Sequence, residues 1–309
     1  MKNFIVRLGI FFVIIVIIDI CTGICFDFLQ KNAKGGDTWR QNKIAWQTNE
    51  DILIFGSSRA IHHYNPIIFQ ESFGLSCYNC GQDGNGILLS YGRLKMINER
   101  YYPNIIVYDI TPSFDLLAES DNRKHLDWLR PYYRSNPTID TIFWDIDKTE
   151  KIKMLSRMFQ YNSKFIQIAN DNIKPQQSAG IQGFRPVNQT MKYEPEIKVE
   201  EQAKYQYDSL KIKYLKKIIT ETRGKTNLIF TVSPMYRGID SNVFAPIKEI
   251  CKQENIPFLD YSNDPEISTN RNYFYDRFHL NSEGADYFTT KFVHDIDSLG
   301  ILKSRKQRQ

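Results

Sequence analysis

Two short motifs, far apart in the chain, carry the side chains that acyl-transfer chemistry needs. Ser58 ends the tripeptide Gly56-Ser57-Ser58, and Asp276 and His279 form an Asp-x-x-His motif. A serine hydroxyl becomes a nucleophile when a base takes its proton, and a carboxylate holds an imidazole in the orientation needed for that step. Because the chain has only five histidines, this motif is informative. We therefore predict Ser58 as nucleophile, His279 as base and Asp276 as orienting acid.

The glycine-rich residues 78–85 could supply the remaining part of such a site. A glycine allows a backbone N–H to approach a substrate carbonyl, so we expect the N–H groups of Ser58 and Gly84 to form an oxyanion hole. Simpler interpretations remain open for each motif taken alone. Ser57 or Ser58 could be a helix N-cap, residues 78–85 a plain turn, and Asp276 and His279 a surface carboxylate and a capping residue.

Three further side chains are predicted to contact the substrate. These are Arg59, which could instead form a structural ion pair with a carboxylate, Asn79, which ends a predicted strand, and Tyr236, which follows another. No group of carboxylates and histidines has the spacing of a metal site, so no metal or other cofactor is expected. Cys77 and Cys80 form a C-x-x-C without a second pair, and we interpret them as small buried residues.

Five short apolar runs, each bounded by turn residues, predict the strands that must position these residues. They cover residues 51–55, 75–79, 104–110, 227–232 and 257–261. Helical patterns separate them at residues 87–99, 201–223, 244–254 and 282–299. Continuous apolar strands that alternate with helices indicate a parallel sheet covered on both faces, in which active residues gather at the carboxyl ends of the strands.

The N-terminus predicts a membrane anchor. Residues 4–26 are mostly apolar and long enough to cross a bilayer, with Asp19 late in the run. Lys2 and Arg7 precede the apolar core, which predicts a cytoplasmic N-terminus and an extracytoplasmic (periplasmic) domain. A cleaved signal peptide is the alternative, but no convincing small-x-small cleavage site follows the apolar run, and Cys21-Thr22-Gly23 is the nearest match. A lipoprotein is disfavoured because small residues do not precede Cys21 or Cys25 in the usual pattern.

These features together predict four segments. Residues 1–27 form the transmembrane anchor, 28–50 a juxtamembrane linker, 51–300 the catalytic domain and 301–309 a basic tail. Within the domain, about residues 115–200 are too long for an ordinary crossover and are expected to form a helical cap. The net charge is only +5, and no basic stripe with interleaved aromatic residues is present, which disfavours nucleic-acid binding.

The motifs resemble those of the SGNH (GDSL-like) hydrolase superfamily. Gly56-Ser57-Ser58 resembles its first block, with Ser57 where Asp is usual, residues 79–84 resemble the second, and Asp276 to His279 resemble the fifth. The third block departs from the pattern, because Tyr108-Asp109-Ile110-Thr111 lacks the usual Asn. The resemblance implies a three-layer α/β/α flavodoxin-like fold with a five-stranded parallel sheet, and a triad of Ser58, Asp276 and His279.

A Gly-Ser-Ser block on a membrane-anchored chain is similar to the envelope acyl-transfer branch of that superfamily. It implies a serine esterase or O-acyltransferase that acts on acyl esters, acetyl above all, of cell-envelope glycans. The alternative is a catalytically inactive binding or scaffold protein that partners a multi-spanning membrane acyltransferase. A phosphate-transfer enzyme is disfavoured, because no phosphate-cradling motif is found.

Overall fold

The structure, a computed structural model, describes residues 1–175, 180–195 and 205–300. These residues fall into two compact units, each built from two separate stretches of chain. One unit contains Met1–Gln47 and the described part of Asn122–Ser178. The other contains Thr48–Asp121 and the described part of Ala179–Gln309. The first thus includes the predicted anchor, most of the predicted linker and the middle of the predicted cap; the second carries the predicted triad.

A five-stranded, fully parallel sheet forms the centre of the second unit. Its strands are β1 (Ile52–Gly56), β2 (Cys77–Asn79), β3 (Ile105–Asp109), β4 (Asn227–Val232) and β5 (Phe258–Asp260), in the order β2-β1-β3-β4-β5. This is the flavodoxin-like order: β2 is added on one side of β1, and β3, β4 and β5 are added on the other, so the topological switch point lies between β1 and β3. Ile52 pairs with Cys77 on one side and with Ile105 on the other. The predicted α/β class and parallel sheet are confirmed.

Helices surround the sheet because both of its faces are apolar. They are α3 (Ser58–His63), α4 (Pro66–Phe73), α5 (Ile87–Asn98), α6 (Pro112–Asp115), α10 (Ser209–Thr222), α11 (Ala245–Glu254) and α12 (Ser282–Ser298). Alternate strand residues such as Ile54 and Val107 pack in one core with Phe288 and Phe292 of α12. Helices α5 and α10 pack against each other through the edge-to-face rings of Tyr91 and Tyr214. Helix α5 also contacts β1, and α10 contacts β4.

The first unit is mainly helical. It contains α1 (Lys2–Lys31), α2 (Gly36–Asn42) continued by a π-helical turn (Lys43–Gln47), α7 (Asp140–Ile146), α8 (Glu150–Lys153) and α9 (Phe165–Ile173). Short 3₁₀ segments lie between them at Asn122–Trp128, Arg130–Tyr132, Pro137–Ile139 and Phe159–Tyr161. Among the described residues, α1 is the one helix long and apolar enough to cross a membrane. Residues 36–47, predicted as linker, are helical.

One predicted helix begins later than expected. The amphipathic pattern predicts a start near residue 201, but 201–204 lie outside the described residues, and 205–208 are not helical. Asp208 is the N-cap of α10, and its carboxylate accepts hydrogen bonds from the N–H groups of Leu210 and Lys211. A side chain that satisfies the first free N–H groups fixes the helix start at that point. The predicted basic tail, 301–309, also lies outside the described residues.

Candidate active site

Ser58 lies at the carboxyl edge of the sheet, directly after β1. Gly56 ends the strand with φ +139°, and a Cβ on it would lie 2.6 Å from the carbonyl oxygen of Asp109 and 2.9 Å from the Cβ of Ala60. Only glycine fits this turn, which brings Ser58 to the first position of α3. The hydroxyl of the neighbouring Ser57 is buried and lies 2.6 Å from that of Thr111, just after β3.

The structure brings Ser58, His279 and Asp276 together. Nε2 of His279 lies 2.8 Å from Oγ of Ser58. Nδ1 of His279 lies 2.9 Å and 3.0 Å from the two carboxylate oxygens of Asp276. The carboxylate assigns the imidazole proton to Nδ1, which leaves Nε2 to accept the proton of the Ser58 hydroxyl.

The Asp-x-x-His turn holds its own acid in place. One carboxylate oxygen of Asp276 accepts hydrogen bonds from the N–H groups of Phe278 (2.8 Å) and His279 (2.9 Å). Partial burial acts to raise the pKa of Asp276, but the hydrogen bond and charge of His279, with these two N–H groups, hold that pKa below its ordinary value. Asp276 is therefore ionised at neutral pH and can stabilise an imidazolium.

A buried polar network lies behind the Asp-x-x-His turn. Nε2 of His63 accepts a hydrogen bond from the Leu280 N–H at 2.9 Å, directly after His279. Because Nε2 accepts, the proton of His63 lies on Nδ1, which donates to the Ser233 hydroxyl at 2.8 Å. Ser233 in turn donates to Asp109 through its N–H (2.8 Å) and hydroxyl (3.0 Å).

His63 is neutral in this network. Its complete burial, followed by the nearby charges of Arg59 and His279, lowers the pKa of His63 well below the ordinary value. The buried Asp109 has a raised pKa for the same primary reason, which the adjacent Arg59 opposes. The network anchors the backbone of the Asp-x-x-His turn to α3, the helix that begins with Ser58.

The structure corrects two of the predicted substrate contacts. Arg59 is buried, with its guanidinium hydrogen-bonded to Ser233 and 3.6 Å from the carboxylate of Asp109. Asn79 is also buried, and its amide donates to the carbonyls of Ala60 and Tyr64 and accepts from the N–H of Gly81. Both side chains hold the protein together at this edge, so we withdraw them as substrate-binding residues.

Tyr236 lies beside the site, but its side chain is buried and hydrogen-bonded within the protein. It is buried, its hydroxyl donates to Glu194 at 2.5 Å, and its backbone N–H donates to the carbonyl of Arg277 in the Asp-x-x-His turn. We therefore withdraw Tyr236 as a substrate contact too. Its backbone instead supports the Asp-x-x-His turn from the β4 side.

Gly84, the predicted second oxyanion donor, lies in an open loop. It has φ +64°, and a Cβ placed on it would meet nothing within 4 Å. Its neighbour Asp83 faces His62, with Oδ1 of Asp83 3.1 Å from Nε2 of His62. The ring of His62 stands edge-to-face with that of His279, at 5.7 Å between centroids. His62 and Asp83 therefore lie at the rim of the triad.

Sequence reasoning missed the roles of His63, Ser233 and Asp109. One signal could have pointed to the latter two: Asp109 ends β3 and Ser233 follows β4, so both stand at the carboxyl edge of neighbouring strands. The role of His63 depends on which helix packs against the last loop, which local patterns do not specify. Cys77 and Cys80 are buried, as expected, and no disulfide joins them.

Comparison with known proteins adds little to this geometry. No protein-family model matches the chain, and no curated protein matches it. Among solved structures, an acetyl xylan esterase from the rumen bacterium Butyrivibrio proteoclasticus is similar with a TM-score of 0.37 and 9% sequence identity. The match covers 82% of this chain and 64% of that one, so the chain spans less than two thirds of the esterase. A likeness this distant supports no functional argument.

Proposed function

We propose that the protein is a serine esterase or O-acyltransferase of the SGNH type, held at the membrane by α1. One observation carries the proposal: a hydroxyl, an imidazole and a carboxylate, in that order, lie in hydrogen-bond contact at the carboxyl edge of a parallel sheet. Two of the contacts are 2.9 Å and 2.8 Å long, within the reach that a nucleophile, its base and an orienting acid require. The motif order and the strand order both agree with this class.

The mechanism follows from the geometry. Ser58 attacks the acyl carbonyl while His279 takes the serine proton at Nε2, and Asp276 stabilises the resulting imidazolium. His279 then gives that proton to the departing alcohol, which leaves an acyl group on Ser58. Water or a sugar hydroxyl next attacks the acyl-enzyme with His279 again as base. The N–H groups of Ser58 and Gly84 are proposed to bind the oxyanion, which requires Gly84 to lie close to the carbonyl in the complex.

The substrate proposal rests on the sequence features. Acyl esters of cell-envelope glycans, acetyl esters above all, fit a membrane-anchored chain whose domain lies on the extracytoplasmic side. The basic residues before the apolar run favour that orientation. Measuring acetate release and acetyl transfer to an oligosaccharide in the same reaction distinguishes an esterase, which releases acetate, from an O-acyltransferase, which acetylates the oligosaccharide.

Labelling with a fluorophosphonate tests the nucleophile directly. The intact wild-type chain should be labelled, and Ser58→Ala should abolish labelling because the attacking oxygen is gone. Ser57→Ala is the matched control: Ser57 is the adjacent serine, but its hydroxyl contacts Thr111 rather than His279. Equal labelling of wild type and Ser58→Ala would eliminate the proposed mechanism.

One observation favours the alternative, a binding or scaffold protein beside a multi-spanning membrane acyltransferase. The polar side chains around the end of β3 are already engaged, Asp109 with Ser233 and Thr111 with Ser57, so they offer no donor in place of the Asn of the third block. A folded wild-type chain that resists the probe, yet co-purifies with such an acyltransferase, would support this alternative.

A further inference from the structure

In the first unit, the insertion (the described part of residues 122–178) packs against the half of α1 that lies towards its C-terminus. Residues 1–18 are exposed all round, whereas from Asp19 onwards one side of the helix is covered. The covered positions recur at helical spacing: Asp19, Thr22, Gly23, Phe26, Asp27, Leu29 and Gln30. Gly23 allows the closest approach, since a Cβ there would overlap the Cβ of Arg157.

Asp19 is bound by a turn of the insertion. Its carboxylate accepts hydrogen bonds from the Ser156 hydroxyl, from the Arg157 N–H at 2.8 Å and from the Met158 N–H at 3.1 Å. A carboxylate within an apolar helix is costly unless polar groups satisfy it. Residues 156–158 supply those groups, so this turn must lie at the same depth as Asp19.

Helix geometry gives that depth. A bilayer core of about 30 Å takes about 20 residues at a rise of 1.5 Å each. A span that begins at Phe4, after Lys2, ends near Gly23, and one that begins at Leu8, after Arg7, ends near Asp27. Asp19 then lies roughly 6 to 12 Å inside the hydrocarbon, close to the depth of about 5 to 10 Å at which interfacial elements bury their apolar faces.

The surface of the insertion beside this turn is apolar and uncovered. Ile152 is 70% exposed, Leu155 77%, Met158 41% and Ile166 79%. Ile166 follows Phe165, whose ring packs on Phe26 of α1 at 4.7 Å between centroids, near the expected edge of the hydrocarbon. Ile152, Leu155 and Met158 recur at every third residue, and apolar side chains this exposed mark an interaction surface.

Amphipathic side chains border this apolar surface. Trp144 is half-exposed, and the ammonium of Lys151 lies 4.3 Å from the centre of its ring. Arg157 lies in the turn itself, and its side chain is partly exposed. Tryptophan prefers the membrane–water boundary, and long basic side chains reach from apolar surroundings to lipid phosphates.

From these contacts we infer that the insertion itself enters the membrane. The proposed occupant of the surface formed by Ile152, Leu155, Met158 and Ile166 is the leaflet nearer the folded domain. Asp19 fixes this surface at that depth, so the protein is held by a spanning helix and by a monotopic element beside it. The inference does not depend on the proposed esterase activity.

Site-specific labelling of the full chain in lipid nanodiscs tests the inference. Cys21 and Cys25 are replaced by Ala, and an environment-sensitive fluorophore is attached to one new cysteine at a time. The discs contain phosphatidylethanolamine and phosphatidylglycerol, with and without a quencher on the lipid acyl chains. Leu155→Cys is the test position, and Val13→Cys, in the middle of the span, reports whether the anchor is in the bilayer.

Lys34→Cys is the matched control from the same unit. Lys34 is exposed and follows the end of α1, about 20 Å along the helix direction beyond Asp19 and hence outside the hydrocarbon. We expect the Leu155→Cys label to be blue-shifted and quenched to an extent comparable with the Val13→Cys label. The Lys34→Cys label should show emission as in water and no quenching.

Two results would overturn the inference while Val13→Cys is quenched. Emission as in water from the Leu155→Cys label would place the surface outside the membrane. Blue-shifted emission without quenching by lipid would mean that a protein, either a second copy or a partner, covers the surface instead. If Val13→Cys itself is not quenched, the anchor does not span the bilayer, and the depth assigned to Asp19 is refuted.

Discussion

Replacing His63 by leucine removes the contact between the buried network and the Asp-x-x-His turn. His63→Leu keeps a similar volume but removes the acceptor for the Leu280 N–H, a contact of 2.9 Å in a fully buried site. A buried N–H left without a partner costs about 1 to 3 kcal/mol. Local opening of the turn should therefore become about 5- to 140-fold more frequent at 25 °C, since 1.4 kcal/mol corresponds to a factor of ten.

Hydrogen exchange measures this change where it occurs. In wild type and His63→Leu, exchange is followed on peptides that contain Leu280, and faster exchange is expected there in the variant. Because His279 precedes Leu280, loss of the anchor should also misplace the base, and a shift of about 1 Å can cost about 100-fold in rate. We expect a lower kcat on an acetyl ester with little change in KM.

His63→Gln is the conservative control, since its amide oxygen can still accept from Leu280. It should restore much of the exchange protection and of kcat. The reasoning would be refuted if His63→Leu exchanged at Leu280 as slowly as wild type and turned over the ester at the same rate.

Three further changes test other parts of the site. Burial and the charges of Arg59 and His279 lower the pKa of His63, so below about pH 6.5 the unfolded chain binds a proton that the folded chain excludes. The contribution of His63 to the free energy of unfolding is therefore complete above that pH. Below it, the free energy of unfolding should fall by up to about 1.4 kcal/mol per pH unit. His63→Gln should show a shallower fall between about pH 7 and 5.5 in denaturant titrations, and an identical slope would contradict the assignment. Gly56→Ala forces a side chain into φ +139° and against the Asp109 carbonyl, so we expect a loss of at least about 1 to 3 kcal/mol together with loss of fluorophosphonate labelling, and normal stability would refute the argument. Asp276→Asn can place the imidazole proton on the wrong nitrogen and should lower kcat by up to about 10⁴-fold with the fold retained by circular dichroism; unchanged kcat would remove Asp276 from the triad.

Much of the sheet was predictable because buried parallel strands are short and mostly apolar. Ile105–Asp109 and Asn227–Val232 are both runs of this kind bounded by turn residues, and their predicted bounds agree with the structure to within a residue. The proximity of Ser58 to the Asp-x-x-His turn was predictable for a related reason. Residues that follow strands and precede the closing helix meet at one edge of such a sheet.

Other features depend on contacts between distant parts of the chain. The start of α10 was missed because apolar periodicity continues before Asp208, whereas the cap that sets the start is a single polar residue. Arg59 and Asn79 have side chains suited to binding a substrate, and only the folded structure places Asp109, Ala60 and Tyr64 around them. Residue type alone does not distinguish a side chain that binds a substrate from one that forms structural contacts inside the protein.

The contact between Asp19 and residues 156–158 also sets an order of events during synthesis. The ribosome completes α1 long before it reaches Arg157, and at about 5 to 20 residues per second the interval is roughly 6 to 25 s. For that time the nascent helix carries a carboxylate without the turn that later binds it. In the proposed membrane arrangement, Asp19 stays near headgroups and water during that time, and the helix reaches its final depth only after residues 156–158 have been made.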